Sequence, residues 1–274
     1  MMYRLVHFLR NAAVPFGVLL ASLHMAHAQD ARLQSLETSD AGRGWEAVGR
    51  LNLGTKGFCT GALIAPDLVL TAGHCLFDKE TGARIVAEEI EFLAGWRNGR
   101  AEAYRKIRRA VAHPAYVYGG QSLEQRVPYD LALLQLDRAI RLPSVLPFDT
   151  GAQPQRGAEV GVVSYAKDRA EAPSLQEVCQ VLAERQDMLM LSCDVDFGSS
   201  GAPIFSMQGG VARVVSVVSA KAELDGRKIA LGTALEVPLA DLRAELTRAE
   251  APSQQGGIRV LRGGGAARFQ RPGD

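Results

Sequence analysis

The chain has 274 residues, with 31 Lys and Arg against 30 Asp and Glu and a formal net charge of +1. That near-neutral balance excludes the strongly basic footprint of a nucleic-acid-binding protein. The length suits one large all-β body or two smaller packed ones.

In chain order, Arg4 and Arg10 precede an apolar run from Ala12 to Leu23 that ends in Ala26-His27-Ala28. This reads as a secretory signal over residues 1–28 with a small-residue cleavage site. The run contains Pro15 and is too short to span a bilayer, and no other stretch approaches the length of a transmembrane helix. The expectation is an exported protein, periplasmic or secreted, whose mature chain starts near Gln29. Cys59, Cys75, Cys179 and Cys193 all lie in the exported part, and their even number suits an oxidising compartment with two disulfides. There is no Cys-x-x-Cys pair and no His-x-x-x-His spacing, so neither a metal nor another cofactor is expected.

After an N-terminal extension over 29–44, short apolar runs recur between Gly, Pro and Asp: Ala62 to Ala65, Leu68 to Thr71, Ile90 to Ala94 and Leu131 to Leu136. Pro143, Pro147 and Pro154 mark a connection over 142–156 between a first β-unit, 45–141, and a second, 157–250. The second repeats the style with Val160 to Tyr165, Glu177 to Leu182, Met188 to Ser192, Val211 to Ser219 and Ala230 to Val237. Many short strands with turns between them predict an antiparallel sandwich or barrel rather than βαβ units. One helix is predicted, opened by Pro238 and carrying Leu239, Leu242 and Leu246 at helical spacing. Residues 251–274, rich in Gly, Gln and Arg, read as a disordered tail.

A hydroxyl is a poor nucleophile at neutral pH and needs an adjacent base, most often a histidine oriented through its other nitrogen. Of five histidines, His7, His24 and His27 leave with the signal, so the base is His74 or His113. His74 ends the apolar stretch Leu68-Val69-Leu70-Thr71-Ala72-Gly73 beside Cys75, which can bridge back to Cys59. His113 precedes Pro114 in a Tyr- and Gly-rich loop and reads as a residue fixing a turn. Ser200 lies in Phe197-Gly198-Ser199-Ser200-Gly201-Ala202-Pro203, where glycines allow backbone N–H groups of Gly198 and Ser200 to converge on a substrate oxygen. Asp130 opens the apolar run Leu131 to Leu136. By themselves the Gly-Ser-Ser-Gly stretch also reads as an ordinary loop and Asp130 as a strand-start residue; the other reading of Asp130 is the carboxylate that holds the histidine's tautomer.

Taken together, the three segments in the order His, Asp, Ser resemble the signature of the chymotrypsin-like or trypsin-like serine peptidases. Cys59-Thr60-Gly61-Ala62-Leu63-Ile64 through Thr71-Ala72-Gly73-His74-Cys75 is similar to that family's first-barrel motif, including its Cys pair. His113-Pro114 followed by Asp130-Leu131-Ala132-Leu133 is similar to its His-Pro loop and aspartate strand. The likeness runs from about Trp45 to Val237. It implies two six-stranded antiparallel β-barrels with the active site between them and a C-terminal helix. It also implies a triad of Ser200, His74 and Asp130, an oxyanion hole of Gly198 and Ser200, and a protein or peptide substrate.

The departures matter as much. Where the family reads Gly-Asp-Ser-Gly-Gly-Pro this chain has Gly198-Ser199-Ser200-Gly201-Ala202-Pro203, and Gly73 replaces the usual second alanine of the histidine motif. In zymogen members the Asp pairs with a new N-terminus; Ser199 cannot, and no Ile-Val-Gly-Gly-like start precedes Trp45. Both absences agree with a bacterial, glutamyl-endopeptidase-like branch and predict a hole formed without activation cleavage. A Cys179 to Cys193 bridge would staple neighbouring strands beneath the nucleophile loop. In trypsin the pocket-floor acid lies six residues before the nucleophile, here Asp194, which predicts Arg or Lys before the cut; the alternative is that the altered cysteines shift this loop. A glutamyl preference would want a histidine in the pocket, and the second half has none. Ser219, in Val217-Val218-Ser219-Ala220, is similar to the strand that pairs with substrate backbone and lines the pocket. Two rivals remain: a catalytically silent protease-like protein-binding domain, and a hydrolase of esters or lipids. The latter lacks its Gly-x-Ser-x-Gly elbow around Ser200.

Overall fold

The computed structural model describes residues 31–248 apart from Gln121 and Gln186. The segments expected to be a signal, 1–28, and a tail, 251–274, lie outside the described residues.

Six strands close the first barrel: β2 (Val48–Leu53), β3 (Phe58–Ala65), β4 (Leu68–Thr71), β5 (Ile90–Ala94), β6 (Ala103–Ala112) and β7 (Ala132–Leu136), after the two-residue β1 (Gln34–Ser35). They pair antiparallel in the order β2-β3-β4-β7-β6-β5, and β5 returns to β2. The second barrel uses β8 (Glu159–Ala166), β9 (Arg169–Arg185), β10 (Met188–Leu191), β11 (Pro203–Gln208), β12 (Val211–Leu224) and β13 (Arg227–Ala234). Their order is β9-β10-β13-β12-β11-β8, closed by β8 on β9, with β1 added outside β9. Closure removes the unpaired edges that an open sheet would expose.

The alternation of side chains explains the barrels. Leu51, Leu63, Val69, Phe92 and Leu134 fill the first, and Val162, Leu189, Leu191, Ile204 and Val215 the second, all essentially without solvent contact. Between them Trp45 and Phe148 pack on Phe205, with ring centroids 4.9 and 4.7 Å away. A one-turn helix α1 (Leu123–Arg126) precedes β7, and α2 (Glu236–Arg248) buries Leu239, Leu242 and Leu246. The helix starts two residues ahead of Pro238, which occupies its first turn, where a missing N–H costs nothing.

β2, β6 and β11 have no counterpart among the predicted strands. In β6 only Ala103, Ile107 and Val111 are buried, while Arg105, Lys106, Arg108 and Arg109 stand between them. The basic side chains dilute the apolar run that marks a strand in sequence.

Candidate active site

His74 sits in the 3-10 turn Gly73–Leu76 that ends β4, and Cys75 beside it is bonded to Cys59 on β3. The turn is thereby tied to the neighbouring strand. Asp130, just before β7, is 1% exposed. One of its oxygens, Oδ2, lies 2.7 Å from His74 Nδ1, and the other accepts the His74 backbone N–H at 2.7 Å. Ser219 Oγ donates to Oδ2 as well. Burial alone would push this carboxyl up, but the attraction of His74 and these hydrogen bonds outweigh it and hold the pKa below the usual range.

Ser219 reaches Asp130 because β12 is irregular there. The register with β13 shifts between Val218 and Ala220, a bulge that turns the intervening side chain out of alternation. The residue assigned from sequence to substrate contact does line the cleft, yet its hydroxyl is engaged by the aspartate.

The Ser200 loop is fastened to both barrels. Thr60 of β3 donates its N–H to Ser200 O at 2.8 Å and its hydroxyl to Gly198 O at 2.9 Å, and the Gly201 N–H bonds Val218 O at 2.8 Å. Gly201 has φ of 78°, and a Cβ there would collide with Thr71 Oγ1 and Thr60 O, so no other residue fits. Within the loop the amides of Asp196, Phe197, Ser199 and Gly201 have partners in Ser199 Oγ, Asp196 Oδ1, Asp196 O and Val218 O. Among the described residues, the amides of Gly198 and Ser200 have none.

His74 and Ser200 line one cleft of about 340 Å³, together with Lys79, Arg126, Phe197 and Lys221. No hydrogen bond joins His74 to Ser200 among the described residues; such bonds are often long in unliganded sites and shorten when substrate binds. His113 is engaged elsewhere: its ring accepts the Ala115 N–H at 3.2 Å, lies 3.4 Å from Asp241 and stacks on Tyr129.

Asp194 is exposed and does not line the cleft. Its neighbours Cys193 and Val195 are buried in the second barrel's core, and its N–H is held by the Gln176 side chain, so alternation turns Asp194 outward. The acid facing the cleft is Asp196, and it is paired with Lys221 at 2.6 Å. Cys179 is bonded to Cys193, which anchors this stretch to β9. The sulfurs of Cys59 and Cys75 lie within 4.8 Å of a His74 nitrogen, but they are bonded to each other and offer no thiolate to a metal. Thr60 and Ser164, which hold the Ser200 loop from behind, escaped sequence reading. Their partners lie 138 and 35 residues away, a distance no local motif spans.

Two barrels with such a cleft define a peptidase-like architecture, and comparison with known proteins specifies it. The trypsin-like peptidase domain family matches residues 59–212, and the chain belongs to that family. It is 27% identical over 158 residues to human chymotrypsin-like elastase family member 1, covering 56% of this chain and 57% of that protein. It is 23% identical over 150 residues to the glutamyl endopeptidase of Bacillus licheniformis, covering 54% and 45%. The chain thus spans about half the length of the curated relatives it matches. A solved structure of a Glu endopeptidase in complex with MPD superposes with a TM-score of 0.64 at 18% identity, over 82% of this chain and 98% of the other, which establishes the fold.

Proposed function

We propose that this protein is an exported serine endopeptidase in which Ser200 is the nucleophile, His74 the general base and Asp130 the residue that orients it. One observation carries the reading: His74, hydrogen-bonded to buried Asp130, shares a cleft with Ser200, whose loop leaves the Gly198 and Ser200 amides without a partner among the described residues.

The chemistry follows from those positions. Ser200 Oγ bonds to the scissile carbonyl carbon as its proton passes to His74 Nε2, and the carbonyl electrons move onto oxygen. The resulting oxyanion is met by the two free amides, donors fixed before the reaction begins. Asp130 accepts from Nδ1–H and stabilises the imidazolium. His74 then protonates the leaving amine, the C–N bond breaks, and an ester to Ser200 remains. Water repeats the sequence, giving its proton to His74, and Ser200 is restored as the acid departs.

For the substrate, the lining supports acidic rather than basic side chains near the cut, because among the described residues Lys79, Arg126 and Lys221 face the cleft against the single carboxylate of Asp196. The name of the glutamyl endopeptidase relative agrees with this. Two disulfides and the signal-like segment over 1–28 support export.

The test is a fluorophosphonate probe on the purified protein beside Ser200→Ala, with casein hydrolysis in parallel. Labelling at Ser200 with proteolysis is expected. Absence of labelling would leave a silent protease-like domain, and labelling with esterase activity alone would leave an ester hydrolase.

A further inference from the structure

Besides its contacts with Thr60, the loop that carries Ser200 is held from behind through the hydroxyl of Ser199. Ser199 is fully buried, and its Oγ donates toward Ser164 Oγ at 3.1 Å and Tyr165 O at 3.2 Å, both on β8. The same oxygen accepts the Asp196 N–H at 3.3 Å. Ser164 Oγ in turn accepts from Arg169 Nη2 at 3.4 Å, so the network passes into β9.

We propose that Ser199 is a positioning residue whose hydroxyl fixes the direction of the two amides on either side of it; this rests on reading Ser200 as the nucleophile. The argument is geometric. Gly198 has φ of 100°, a region open to glycine, and nothing in its own side chain prevents the peptide that follows from rotating. What opposes rotation is a set of three restraints: Thr60 Oγ1 on Gly198 O, Asp196 O on the Ser199 N–H, and β8 on the Ser199 hydroxyl. The first two act on the peptide itself. Of the three, only the third is made by the side chain of Ser199, and that side chain also holds Asp196, through its N–H, at the start of the turn. Removing the hydroxyl leaves the carbonyl of buried Tyr165 and the part-buried Asp196 N–H each with one partner fewer. The loop then relaxes about Ser199, and the adjoining Phe197–Gly198 and Ser199–Ser200 peptides, which carry the Gly198 and Ser200 N–H groups, turn with it. Catalytic donors tolerate little of this, since a misplacement of about 1 Å costs as much as 10²-fold in rate.

The network needs nothing from a newly made chain terminus, because each partner of the Ser199 hydroxyl lies either on β8, as Ser164 and Tyr165 do, or in the loop itself, as Asp196 does.

The experiment measures kcat, KM and melting temperature for the wild type, Ser199→Ala and Ser164→Ala on one peptide substrate well below their melting temperatures. Ser199→Ala is expected to lower kcat by about 10- to 100-fold with KM changed less than about threefold, the split that marks a contact acting in the transition state. Ser164→Ala removes one acceptor of the same hydroxyl and should move kcat the same way by a smaller factor; it carries the test alone if Ser199→Ala does not fold. An unchanged kcat in the folded variants, or a KM that rises in step with the loss, overturns the proposal. A wild type that neither reacts with fluorophosphonate nor cleaves peptide overturns the endopeptidase reading instead.

Discussion

Ser219 and Asp130 are joined by a hydrogen bond that exists because β12 bulges between Val218 and Ala220. Asp130 thereby accepts from three donors, the His74 ring, the His74 amide and the Ser219 hydroxyl, in a place almost closed to water. Ser219→Ala deletes one of them. A hydrogen bond to a charged group contributes about 1.5–3 kcal/mol, so kcat should fall at least about tenfold while KM changes little. Steady-state kinetics decides it, and an unaltered kcat would mean that the two His74 contacts orient the carboxylate unaided.

The same carboxylate links stability to pH. Its folded pKa lies below the ordinary 3.8 because the His74 attraction and the hydrogen bonds outweigh the opposing effect of burial. Across that window the unfolded chain binds more protons than the folded one, so folding gains stability as pH rises. The contribution is complete above the unfolded value and is lost as pH falls through the lower folded value. Urea unfolding of the wild type should weaken between about pH 5 and pH 2 by more than that of Asp130→Asn. Equal losses would assign the acid sensitivity to other carboxylates. Asp196 is also lowered, by Lys221, in an exposed pair that contributes little, and buried Asp78, lowered by Lys56, is present in both proteins and drops out of the comparison.

The Cys59 to Cys75 bridge closes a loop with a sequence separation of 16 and holds the His74 turn to β3. Loop-closure entropy for that length gives about 3 kcal/mol of stability. The double variant Cys59→Ala with Cys75→Ala should lose roughly that amount in denaturant titration. It should lose activity too, at temperatures where the protein is still folded, because the His74 turn is no longer anchored. Retained activity in the folded variant would show that β4 alone positions His74.

Much of this site was legible in sequence, and the failures have physical causes. The segments around His74 and Asp130 stood out because each adjoins a buried strand whose apolar run is local, and Ser200 because glycines flank its loop. β6 did not, since four basic residues interleave its three buried ones. β11 was missed because Ile204 and Phe205 follow directly on a stretch rich in Gly and Ser, which reads as loop. Asp194 was placed by counting back from Ser200, which assumes a shared loop path. Burial of Cys193 and Val195 instead sends Asp194 to the outside and leaves Asp196 facing the cleft. The support from Thr60 and Ser164 depends on two barrels meeting, and only the folded chain brings those residues together.

The cleft's charge leads to the last expectation. Lys221 is paired with Asp196 and lies 4.1 Å from the centroid of the Phe197 ring, so its ammonium is partly neutralised. Lys79 and Arg126 also line the cleft, and among the described residues neither has a carboxylate within ion-pair distance. Peptides with Glu or Asp near the cut should therefore be cleaved faster than the same peptides with Lys. Exposed pairs contribute about 0.2–1 kcal/mol each, which limits the advantage to about fivefold per cation. Arg126→Gln should reduce the preference for acidic peptides without lowering the rate on a neutral one, and raising salt from about 0.05 to 0.5 M should shrink it in the wild type because screening shortens the reach of each charge. A preference for Lys, or an acidic preference indifferent to both salt and Arg126→Gln, would show that selection is made by the shape of the apolar wall of Val195 and Val218 and not by the cations facing it.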